Sequence, residues 1–95
     1  MDAKVKKALN LKILRFPPSL PVVKLEVEDY TDWTGDPALK VQVILDESTD
    51  VDHFDGQAVS DLMNEIRESL RKHGITLFPY ISLAKQSELA AVDED

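Results

Sequence analysis

The chain contains no cysteine. Disulfides, thiolate nucleophiles and cysteine-ligated zinc or iron–sulfur centres are therefore excluded. Its three glycines, Gly35, Gly56 and Gly74, stand far apart, and no P-loop or dinucleotide fingerprint occurs. Basic residues are in the minority, eleven against eighteen acids, for a net charge of −7. That balance opposes the phosphate attraction behind nucleic-acid binding and offers nothing to an anionic membrane. No apolar run approaches transmembrane length. Lys12 and Arg15 interrupt the apolar stretch a signal peptide would need, and Pro17-Pro18 follows, so a cytoplasmic location is expected.

What is present suits one small globular domain. The 95 residues are 43% apolar and 31% charged, which is not the composition of a disordered chain. A core of this size is thin, and little apolar surface remains for a large cofactor. No cofactor is expected. Charge is unevenly placed: residues 1–24 hold six of the eleven basic groups and one acid. The rest of the chain is an acidic body behind a basic leading segment.

Asp55 to Gly74 is the clearest amphipathic stretch. Val59, Leu62, Met63, Ile66 and Leu70 recur at spacings of three and four and share one helical face, with charged residues behind. Such a stripe lies on another layer, most simply a sheet. Asp55 suits the N-cap, Gly74 the left-handed position after the helix, and Ile75 the contact back to Leu70.

Upstream, residues 2–14 read as a helix with Val5, Ala8, Leu9, Ile13 and Phe16 on one face, ended by Pro17-Pro18. Its early lysines oppose the helix dipole. Val22 to Asp29 alternates as a half-buried strand, with Val23, Leu25 and Val27 inward. Tyr30 to Pro37 reads as a long turn. Leu39, Val41, Val43 and Leu45 mark a second strand, antiparallel to the first. Asp46 to Asp55 is an acidic connection. Ile75 to Ala84 reads as a last strand with Ile75, Leu77, Ile81 and Leu83 inward, and Pro79 marks it as an edge or a bulge. Residues 85–95 read as a short fraying helix and an acidic, disordered tail.

The expected fold is therefore α+β: a two-layer sandwich of order α-β-β-α-β, with both helices on one face of a three-stranded sheet. In element order it resembles KH type II, BolA-like and ribosome-binding-factor-like domains. No GxxG loop is present, so the phosphate clamp of a KH domain is missing.

Five candidate sites follow. The sheet's outer face would display Val22, Ile44, Phe78 and Tyr80 among Lys24, Glu26, Gln42 and Thr76, a patch suited to docking a protein. The competing structural role is coverage of those rings by the N-terminal segment or the tail. Tyr30 and Trp33 lie in the turn-rich connection. In so small a domain Trp33 is expected to fold back over the end of the core, and its partner role is that of a rim aromatic. The acidic loop, with Asp50, Asp52, His53 and Asp55, is an alternative divalent-metal or small-ligand site. It fails the EF-hand pattern, because Phe54 stands at the fifth position and Gly56 comes one place late. A solvated loop supporting the helix N-terminus explains the same carboxylates. Lys4, Lys6 and Lys7 form a third, nucleic-acid alternative, against an ordinary solvated helix face. Finally, no nucleophile–base pair can be named, and His73 suits a dipole role at the helix end. The expectation is a non-catalytic interaction module that binds a protein or a second copy of itself through Ile44, Phe78, Tyr80 and Trp33.

Overall fold

The computed structural model describes residues 3–49 and 55–88. The elements are α1 (Ala3–Ala8), β1 (Val22–Thr31), β2 (Pro37–Leu45), α2 (Gly56–Lys72) and β3 (Phe78–Lys85). The α+β architecture and its element order are as expected. Strand order is β1-β2-β3, with β1 antiparallel and β3 parallel to β2. A parallel neighbour needs a crossover rather than a hairpin, and α2 supplies it.

β2 is central and buries one full side. Leu39, Val41, Val43 and Leu45 are at most 1% exposed. They join Ala58, Leu62, Ile66 and Leu70 of α2, and Val5, Ala8 and Leu9 of the N-terminal segment, in one core cluster. Both helices thus cover the same face of the sheet. Each fully buried Leu or Ile stabilises that arrangement by about 1.5–3 kcal/mol.

The ends of α2 are specified locally. The Asp55 carboxylate accepts from the Gln57 amide at 3.0 Å, satisfying one of the orphan donors. At the other end Gly74 takes φ +75°. Its amide donates to the Arg71 carbonyl and the Ile75 amide to the Leu70 carbonyl, both at 3.0 Å. This is a Schellman closure.

α1 departs from the expected helix over 2–14. It ends at Ala8, well before the prolines. Asn10 is the reason: its side chain accepts from the Lys12 amide and its carbonyl from those of Ile13 and Leu14. That local turn competes with the helix and resets the phase. Leu14 is consequently buried, while Ile13 is half exposed. The hydroxyl of the buried Ser69 on α2 donates to the Ala8 carbonyl, closing the end of α1 against its neighbour.

Three further boundaries differ from expectation. Residues 22–24 of β1 span a single step along β2, a β-bulge that turns Val22 inward opposite Leu45 and leaves Val23 exposed. The hairpin strands run to Thr31 and from Pro37, leaving a five-residue loop. β3 starts at Phe78 and includes Lys85, and residues 86–88 are helical. Ile75 and Leu77 lie ahead of the strand, packed against the core. β3 is an edge strand, in keeping with Pro79. The remaining expected tail, 89–95, lies outside the described residues. No helix among the described residues is long and apolar enough to cross a membrane.

Candidate functional site

The strand registers define the outer face row by row. Tyr30, Ala38 and Phe78 are aligned across β1, β2 and β3, as are Glu28, Lys40 and Tyr80. Next come Glu26, Gln42 and Ser82, then Lys24, Ile44 and Ala84. Aromatics therefore gather at the hairpin end, and polar pairs occupy the middle.

Ala38 makes that gathering geometrically possible. Its small side chain on the central strand leaves space above the sheet, and rings from both flanking strands close over it; Ala38 is 2% exposed. Tyr80 lies edge-on to Tyr30, with centroids 5.3 Å apart, and to Phe78, at 5.0 Å. Edge-to-face contacts of this kind favour a defined arrangement. Tyr30, Phe78 and Tyr80 nevertheless remain 40%, 56% and 37% exposed. A groove of ≈ 220 Å³ runs beside them, lined by Tyr30, Lys40, Tyr80, Ile81 and Ser82.

The hairpin loop borders this row. Asp32 organises it: one carboxylate oxygen accepts from the Thr34 amide, the Thr34 hydroxyl and the Asp36 amide, at 2.9, 2.5 and 3.0 Å. Gly35, at φ +89°, completes the turn in the left-handed region. The other Asp32 oxygen faces the Tyr80 hydroxyl at 3.5 Å. The Thr34 hydroxyl, with the loop amides behind it, holds the Asp32 carboxyl below its usual range. Partial desolvation, and then the Asp32 charge, push the Tyr80 phenol above its own.

Trp33 corrects the expectation that it caps the core: it is 91% exposed at the hairpin tip. The short loop is the reason. Its side chains and amides turn in on Asp32, so Trp33 has no path back over the sheet. The structure thus brings Phe78 and Tyr80 together and leaves Trp33 in solvent on the loop of the β1–β2 hairpin.

Ile44 does not belong to the exposed site. It is 0% exposed, which removes it as an anchor. It sits on the central strand between Lys24 and Ala84. At that end of the sheet the short helical segment after β3 is tied to the turn after β2, with Ser87 donating to Glu47 through its amide and hydroxyl at 2.9 and 2.7 Å. Val22 is likewise absent from the outer face, turned inward by the bulge.

Two further residues belong to the site: Tyr30, which the sequence pattern places in the connection rather than on the strand, and Asp32, which sequence reasoning missed. Tyr30 continues the alternation of Lys24, Glu26 and Glu28, a signal that places it on the outer face once the strand extends past Asp29. Asp32 is legible as the start of an Asx turn in the run Asp-Trp-Thr-Gly-Asp. Of the acidic loop, Asp50, Asp52 and His53 lie outside the described residues. Asp55 is engaged as the α2 cap, and Asp46 accepts from the amide and hydroxyl of Ser48. Among the described residues no three His, Asp or Glu side chains converge as a metal site. Lys6 and Lys7 are exposed at the end of α1 rather than at its start, and Lys4 precedes them on the same helix. No family model, curated protein or solved structure matches this chain.

Proposed function

We propose that this domain is a non-catalytic interaction module that docks a protein partner through the hairpin end of its outer sheet face. Phe78, Tyr80 and Tyr30 are the anchors and Trp33 the rim aromatic. The observation that carries this reading is the exposure of three aromatic side chains, Tyr30, Phe78 and Tyr80, gathered at one end of the outer face, with Trp33 almost wholly in water on the adjoining hairpin loop. Exposed apolar patches on small soluble domains mark contact surfaces, and tyrosine and tryptophan are enriched among residues that dominate binding energy. The helices and the core lie behind the opposite face, so docking here leaves the fold undisturbed.

The test is a double variant, Phe78→Asp with Trp33→Asp, since both side chains are exposed and outside the core. The thermal midpoint is expected to stay within a few degrees of the parent, because surface changes cost about 0.5 kcal/mol or less. A partner recovered stoichiometrically with the tagged parent chain, after nuclease and chelator treatment, should be lost from the variant. Equal recovery with both chains would move the docking site elsewhere.

A further inference from the structure

We propose that the aromatic end of the outer face reads an arginine- or lysine-bearing peptide segment, with the rings of Trp33, Tyr30 and Tyr80 and the carboxylate of Asp32 receiving the cation. The inference rests on the docking reading above and adds the partner's chemistry.

Charge complementarity selects that partner. Residues 28–36 carry four carboxylates and two aromatics with no lysine or arginine among them. The two register rows at this end of the outer face hold one cation, Lys40, whose ammonium is 3.9 Å from Glu28. Asp32 and Asp36 add further negative charge at the loop. Aromatic faces attract cations through their quadrupole, and tryptophan does so best. Guanidinium groups also stack on such faces while bonding a carboxylate.

The geometry is prepared for this role. Three hydrogen bonds fix one oxygen of Asp32, and the other faces Tyr80 at 3.5 Å, leaving acceptor capacity beside the rings. A carboxylate already held by its loop loses little freedom on binding. The chain's own terminal residues are a poor occupant, because Asp93, Glu94 and Asp95 would meet like charge. A second copy brings a net charge of −7 to the same surface.

The test is an amide NMR titration of the full chain with three heptapeptides, identical except for arginine, neutral citrulline or glutamate at three positions. The arginine peptide is expected to shift Trp33, Asp32 and Tyr80, with affinity that falls as salt is added. The citrulline and glutamate peptides should leave those resonances in place. Trp33→Leu should weaken the arginine peptide roughly two- to five-fold, the range for a cation over an exposed ring. Asp32→Asn, which keeps the loop's acceptor oxygen, should weaken it further while the loop resonances stay dispersed.

Equal binding of the arginine and citrulline peptides at these residues would overturn cation recognition and leave the docking reading standing. Shifts confined to carboxylates away from the outer face, such as Asp61 and Glu65 of α2, or indifferent to Trp33→Leu, would overturn the inference in favour of diffuse charge attraction. No binding by any peptide would overturn it too, and the docking reading would then be judged by the Phe78→Asp and Trp33→Asp recovery experiment. Concentration-dependent sedimentation with the same shifts in the free protein would make a second copy the occupant and overturn a basic partner.

Discussion

Trp33 shows most sharply what a side chain's neighbours decide. Its type argues for burial, yet a five-residue loop folded around Asp32 holds it in solvent. As the only tryptophan in the chain, it makes the consequence measurable. Native fluorescence is expected at the emission of a fully hydrated indole, shifting little when the protein is unfolded in urea while circular dichroism reports the transition. A blue-shifted native emission would contradict the exposed placement. Ile44 is the reverse case. It shares the parity of Lys40 and Gln42, which assigns it correctly to the outer face, but parity says nothing about what closes over that face. Phe78 and Tyr80 are legible from the strand pattern of their own stretch. Their convergence with Tyr30 depends on the parallel register of β3 and the small Ala38 between them, and neither is a local property.

The elements differ in how completely their own residues specify them. α2 carries its N-cap, its apolar stripe and its left-handed glycine within one stretch, so its boundaries are legible from that stretch alone. α1 carries no such signals. Its end is set by Asn10 from one side and by the Ser69 hydroxyl of α2 from the other. Ser69→Ala would leave the Ala8 carbonyl without that donor inside the packed helix pair. The expected cost is about 1–3 kcal/mol, the usual range for stranding a buried polar group. Loss of protection should concentrate in residues 3–9 by hydrogen exchange. A melt and an exchange pattern unchanged from the parent would mean that α1 is held by its apolar contacts alone. The β1 bulge belongs with α1: the alternation in Val22–Thr31 is clear, but one inserted residue reverses the facing of Val22 and Val23.

Taken together, the turns of this acidic molecule are built on ionised carboxylates. Asp32, Asp46 and Glu47 are each held below their ordinary pKa, chiefly by the hydroxyls of Thr34, Ser48 and Ser87 respectively. A carboxyl with a lower pKa in the folded state contributes stability that is complete above its unfolded value. That contribution disappears as pH falls through the folded value. The denaturation midpoint is therefore expected to hold steady from neutral pH down to the ordinary carboxylate range and to fall on further acidification. Asp32→Asn, by removing one of the three, should flatten that fall. An acid limb identical in parent and variant would assign it to other carboxylates.

The linear pattern of residues was enough to establish the α+β class, the order of elements, the β1–β2 hairpin, the caps of α2 and the side of β2 that faces the core. These rest on interactions between neighbours a few positions apart, which periodicity and residue type encode directly. The tertiary structure alone decided the parallel pairing of β3, the early end of α1, the burial of Ile44, the exposure of Trp33 and the meeting of Tyr30, Phe78 and Tyr80. Those depend on contacts between residues as much as 61 positions apart, such as Ser69 with Ala8. Such pairings are selected by how whole layers pack, and no stretch of the chain carries them by itself.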